Sequence, residues 1–238
     1  MSELVTGLQQ DHLSELVRGQ ELPLPALDPA HIAFILELLQ RAYEGIKADH
    51  PEAVSGGEEK DINALMVHRL NHLVGDDPLA SLMVRAVSRG TETMNFNASC
   101  IEKRPDIQIS LTGWQHLFPL IVECKLIDRP KRKTADMYCR DGLARFIRGD
   151  YAWTNREAMM LAYVRDGASI AHHLHPFLAS AMAKSPPDYS VVTLPQKCFP
   201  ALPDAAKSIH GRSFFYVHET QSGNTPGNIA IWHLWVHS

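Results

Sequence analysis

The chain predicts an α/β fold with a mixed central sheet flanked by helices, and three observations carry that expectation. Strand-like and helix-like stretches alternate from about residue 94 to the C-terminus. Two apolar stretches with a period of two, 105–111 and 121–127, lie close enough to close an antiparallel hairpin. Ahead of them run dense helical patterns. No repeat, low-complexity tract or linker divides the chain, so the expected organisation is an acidic helical N-terminal extension over 1–55 packed on a core domain over 56–238.

The elements follow in order. Glu3 to Arg18 is compatible with a short amphipathic helix, ended by Leu22-Pro23-Leu24-Pro25. Asp28-Pro29 places a cap before a proline at the first helical position and opens a helix to about Lys47. Ala53 to Gly57 reads as a loop, Glu58 to Leu73 as a helix, and Leu79 to Val87 as a third helix ending near Gly90. After the hairpin, whose turn falls at Thr112-Gly113-Trp114, a basic loop leads to a helix from Ala135 to about Ile147. Strands are expected at 158–164, 190–194, 213–217 and 229–236, with a helix from Ser169 to about Met182.

With 238 residues, 45% of them hydrophobic, the chain can bury a full core unaided by disulfides or metals. Its four cysteines, Cys100, Cys124, Cys139 and Cys198, show no paired spacing, which argues against a disulfide framework or zinc knuckle and for a reducing cytoplasm. The opening residues lack a basic segment followed by an apolar one, and no apolar run approaches a membrane span, so a cytoplasmic protein without membrane contact is expected.

Chemistry concentrates around the hairpin. In Ile121-Val122-Glu123-Cys124-Lys125-Leu126-Ile127 a period of two puts Glu123 and Lys125 on one face of an otherwise apolar strand. Neither charge is easily buried unless paired or bound to something. Asp106 enters the partner strand just after Pro105. Carboxylates of this kind offer hard oxygen ligands to Mg²⁺, which keeps room for substrate phosphate oxygens. The opposing account is an edge strand whose Glu123 and Lys125 form a solvated ion pair worth little.

Pro105-Asp106, a hairpin, then Glu123-Cys124-Lys125, with a helix before and a helix after, resembles the PD-(D/E)XK nuclease superfamily. The resemblance covers roughly residues 58 to 165 and implies a restriction-endonuclease-like fold and a metal-dependent endonuclease acting on DNA. It implies Asp106 and Glu123 as ligands of Mg²⁺, with Mn²⁺ as a substitute, and the Cys124 carbonyl completing the shell. Lys125 would then lie beside the attacking water. Glu59, on the first turn of the second helix, takes the place of the superfamily's acidic helix and could lend a further ligand; equally, it could be held there by the helix dipole alone. Arg145 falls on the helix after the signature, where it could clamp a phosphate oxygen or pair with Asp141 four residues earlier. Gly142, one turn before it, would permit a close approach.

Charge is unevenly spread. Residues 1 to 62 carry a balance of −8 within a chain of net charge −4, while 125 to 148 carry eight Lys/Arg against three Asp/Glu. That basic window is a candidate phosphate-backbone surface or an ordinary solvated face. No DNA-reading module can be recognised, so a regulatory protein partner or a homo-oligomer would supply specificity or control, and a bacterial or phage-defence effector is a plausible setting by analogy. Two alternatives stand beside this: a nuclease-fold subunit that no longer cuts and serves as an interaction component, and a nuclease acting on RNA. His172, His173 and His175 lack partner ligands at zinc spacing and read as a surface cluster, and His218 and His233 as core residues.

Overall fold

Alternation along the chain produces a seven-stranded mixed sheet. Its computed structural model describes residues 11–97, 99, 104–113, 118–217 and 223–238. The strands are β1 (Val84–Arg89), β2 (Ile107–Leu111), β3 (Leu120–Ile127), β4 (Glu157–Val164), β5 (Val191–Lys197), β6 (Ala205–His210) and β7 (Ile229–His237), in the order β1-β2-β3-β4-β7-β6-β5. β3, β4 and β7 are parallel neighbours, and every other pairing is antiparallel. The centre is the most apolar part: β4 is buried throughout, and β7 is buried except for its last residue, as expected of parallel strands covered on both faces.

Helices cover the two faces. Residues 11–16 form a short helix, α1, followed by α2 (Pro29–Asp49), α3 (Pro51–Gly56), α4 (Glu59–Asp76) and α5 (Pro78–Met83). Asp28 caps α2 by accepting from the Ala30 N–H at 2.7 Å, a bond of about 1 kcal/mol. Ile35, Leu39 and Tyr43 of α2 and Ile62, Met66 and Leu70 of α4 enter one core with Val122, Leu161 and Leu234 of the sheet. α2 is thus part of the layer that covers this face. The opposite face packs on α6 (Ala135–Tyr138), a π-helical stretch Cys139–Leu143, α7 (Ala144–Arg148) and α8 (His175–Met182).

Several expected elements differ. The 53–57 loop is mostly α3, because Pro51 starts a turn and Arg165 bonds the carbonyls of Ala53, Val54 and Gly57. The helix expected over 79–87 stops at Met83 and gives way to β1, an edge strand with a bulge that buries only Val84 and Val87. Its irregular burial mimics a helical period, and pairing with β2 decides the matter. Asn71 bonds both backbone groups of Val87 and so covers the free edge. No strand forms at 213–217. That segment is extended, but Phe214 and Tyr216 bury themselves beside Trp153 in a third cluster. Conversely, the weakly strand-like Ala205–His210 is drawn into the sheet by β7. The start of the first helix at Glu3, the turn residue Trp114, Cys100 and His218 lie outside the described residues. Among the described residues no helix is long and apolar enough to cross a membrane.

Candidate functional site

The site forms where β2 and β3 part company. Their pairing runs from Ile107↔Val122 to Ile109↔Leu120, but β3 continues to Ile127. Beyond Val122 the backbone N–H groups of Cys124 and Leu126 therefore need partners other than β2. Two carboxylates supply them: Asp106 Oδ2 accepts from Cys124 N at 2.9 Å, and Glu59 Oε2 accepts from Leu126 N at 2.7 Å. Asn63, one turn beyond Glu59 on α4, donates to Asp106 Oδ1 at 2.9 Å and accepts from the Tyr163 hydroxyl at 2.8 Å. These bonds fix two acids in the gap.

Lys125 stands at their centre. Its Nζ lies 2.6 Å from Glu123 Oε1, 3.6 Å from Glu59 Oε1 and 3.8 Å from Asp106 Oδ2, and it donates to the Cys124 carbonyl at 2.8 Å. Glu123 is 1% exposed. Its Oε1 also accepts from Arg145 Nη1 at 3.1 Å, and its Oε2 accepts from the Tyr151 hydroxyl, which in turn accepts from Arg145 Nη1 at 3.0 Å. Gly142, in the π-helical stretch, makes room for the tip of Met160, with Lys125 at ordinary contact distance. A Cβ there would stand 2.6 Å from Met160 Cε and 3.4 Å from Lys125 Cε.

Electrostatics follow from burial set against charge. Burial raises the Glu123 pKa, with Asp106 adding to it, while Lys125 and Arg145 oppose the rise. For Lys125, burial disfavours the ammonium, but the carboxylates of Glu123, Glu59 and Asp106 outweigh it and hold its pKa above the ordinary value. Burial likewise disfavours the Arg145 cation, and Glu123 and Tyr151 more than compensate. Burial, then Glu123, pushes the Tyr151 hydroxyl up. Lys125 is therefore an ammonium at neutral pH. In this state it is suited to stabilising negative charge and to donating a proton, and it is not a free base.

All five sequence-predicted site residues, Glu59, Asp106, Glu123, Lys125 and Arg145, meet in this cluster, together with the Cys124 carbonyl. Arg145 does not pair with Asp141, which is taken by Arg140 at 2.9 Å. Sequence reasoning misses Tyr151 and Asn63. The i+4 spacing of Asn63 to Glu59 is a signal that could have found it, whereas nothing local marks Tyr151, which a turn after α7 brings back to the sheet. The donor set suits a hard cation in chemistry, since every acceptor is oxygen and all converge on one positive centre. That centre is the Lys125 ammonium, and among the described residues no group of three or more His, Cys, Asp or Glu is arranged to hold a metal ion.

The basic window is less continuous than its sequence suggests. Arg129 pairs with Asp166, Lys131 with Asp128, Arg140 with Asp136 and Asp141, and Arg148 with Asp150. Arg132 and Lys133 sit in a small loop closed by an Asp128↔Lys133 bridge, with Arg132 at φ 61°. His172 is exposed, while His173 accepts from the Ser169 N–H at 3.1 Å. In comparisons with protein-family models, curated proteins and solved structures, the chain finds no match.

Proposed function

We propose that this chain is a metal-dependent endonuclease of the PD-(D/E)XK, restriction-endonuclease-like type that hydrolyses phosphodiester bonds in DNA. One observation carries the reading: Asp106, Glu123 and Glu59 converge with the Cys124 carbonyl on the Lys125 ammonium, at a strand gap that Asp106 and Glu59 themselves stabilise. An ion pair kept only for stability needs one carboxylate, and this one gathers three, in a setting where burying charge is costly. Asp106, Glu123 and the Cys124 carbonyl, with Glu59 beside them, would hold Mg²⁺ or Mn²⁺, which when bound supplies Lewis-acid polarisation of the phosphate and activation of water.

The chain's own residues then have distinct tasks. Lys125 offsets charge that builds on the phosphoryl oxygens and can protonate the leaving oxygen. Arg145, 35% exposed at its side chain, presents a planar fork that can turn from Glu123 to a phosphate oxygen. Tyr151 holds Glu123 in place, and Asn63 holds Asp106. A second reading, a nuclease-fold subunit that does not cut, is favoured by the saturation of Glu123, both of whose oxygens are engaged by Lys125, Arg145 and Tyr151. Incubating supercoiled plasmid, single-stranded DNA and RNA with Mg²⁺, Mn²⁺ or chelator separates the readings. Metal-dependent cutting of DNA by the parent, abolished in Asp106→Asn, is the expected result. Cutting of RNA alone would reassign the substrate, and no cutting of any of them would favour the inactive subunit.

A further inference from the structure

A cavity of about 360 Å³ opens on the sheet face that carries Glu123, lined by Gln108, Ser110, Phe118, Ile121, Tyr151 and Asn155 among others. Register explains its position. Gln108 stands opposite Ile121, which lies two residues before Glu123 on the same face of β3. Two residues along a strand span about 7 Å, comparable to the reach from a phosphate across its sugar to the base. Tyr151 belongs to both places, lining the cavity while its hydroxyl holds Glu123.

The lining is mixed in a particular way. Phe118 and Ile121 are buried apolar groups, and Trp153, also in the wall, is fixed by its indole N–H bonding the Met94 carbonyl at 2.8 Å. Asn155 is committed: its Nδ2 donates to the Pro119 carbonyl and its Oδ1 accepts from Thr154. Gln108 is not. It is 7% exposed; its Oε1 accepts from Thr91 at 3.3 Å, and its amide nitrogen has no partner among the described residues. That donor is open to the cavity rather than sealed from solvent, so a ligand that reaches it exchanges for water at little cost. The cavity's volume falls within the ordinary range for a small-ligand pocket, about 300 to 1,000 Å³.

We infer that this cavity takes one unpaired nucleobase of the strand whose phosphate lies at Lys125 and Arg145, with the Gln108 carboxamide bonding the base edge and Phe118 and Ile121 covering its face. The inference rests on the nuclease reading and narrows it to substrates in which a base is free to leave the stack. A carboxamide offers a donor and an acceptor side by side, the pattern that complements a base edge. Apolar and aromatic walls accept any base by its face, so the pocket would position the strand more than it reads sequence.

The test uses fluorescent single-stranded 12-mers of DNA and of RNA, each carrying one abasic site walked through the sequence. Binding is followed by polarisation in chelator, and cleavage by single-turnover rates in Mg²⁺. One abasic position is expected to weaken binding to the parent roughly tenfold, within the range for removing one stacked base. Gln108→Leu should weaken binding of the intact strand comparably and weaken it little further on that abasic strand, as coupled partners do. If Gln108→Leu does not fold, the abasic series on the parent protein decides alone. Strands bound and cut with equal strength at every abasic position would overturn the base pocket and leave the nuclease reading standing. No binding and no cutting of either nucleic acid would overturn both.

Discussion

Glu123 on β3, Met160 on β4 and His233 on β7 lie in one row across the sheet, on one face, yet the two ends of the row are built on opposite terms. At the β7 end a neutral chain is fully satisfied. His210 Nδ1 must donate to the Tyr189 carbonyl at 2.8 Å, so its Nε2 accepts from Ser208. Ser208 Oγ then accepts from His233 Nε2 at 2.7 Å, and His233 Nδ1 accepts from the Tyr138 hydroxyl at 2.8 Å. One carbonyl thereby fixes every proton in the chain. At the β3 end, charges gather in excess of what they need, around a lysine that is partly open to solvent. Self-sufficient polar groups in a core specify structure, whereas unbalanced ones beside a gap and a cavity are suited to meeting something from outside.

The largest effect tests the neutral end. Burial lowers the His210 pKa to about 4, and burial, with His210, lowers that of His233 to about 3. A depressed folded-state pKa means stability is complete above the unfolded value near 6.5 and falls as pH drops toward the folded value, by about 1.4 kcal/mol per pH unit for each histidine. Between pH 6 and 4.5 the pair should together remove about 3 to 4 kcal/mol of unfolding free energy. Raised carboxyl pKa values at Glu123, Glu157 and Asp204 act in the opposite direction, so the decisive measurement is a difference. Urea unfolding of His233→Gln, followed across this pH range, should show a stability–pH slope shallower by about one proton than the parent. Equal slopes would mean His233 titrates alike in the folded and unfolded states.

Next in size, Lys125→Ala should lower the single-turnover cleavage rate by a factor on the order of 10² or more, through loss of a charge stabiliser and proton donor. A rate equal to that of the parent would return the cluster to a structural role. Ser208→Ala should cost about 1 to 3 kcal/mol by orphaning the His233 N–H and the His210 acceptor, without changing the cleavage rate. A fall in rate at full stability would tie the neutral chain to the chemistry. Smallest is the loop: neutralising Lys131, Arg132 and Lys133 together should reduce the log–log salt slope of duplex DNA binding by roughly 0.9 for each phosphate the loop no longer neutralises. An unchanged slope would take the loop out of the DNA path.

The sequence by itself determined the central strands, the hairpin and the meeting of Glu123 with Lys125, because a period of two is a local property that burial on both faces only reinforces. Asp106 is legible from its entry into the partner strand, whereas Glu59 and Arg145 are legible only through the resemblance to the nuclease signature. Tertiary structure alone decided that Tyr151 returns to Glu123 and that β2 begins late enough to leave Cys124 and Leu126 for side chains to bond. It decided, too, that Val84–Arg89 is a strand rather than the end of a helix, and that Ala205–His210 belongs to the sheet while 213–217 does not. Each of those outcomes depends on which backbone groups find partners far along the chain, and short segments of ordinary propensity take whichever conformation satisfies them.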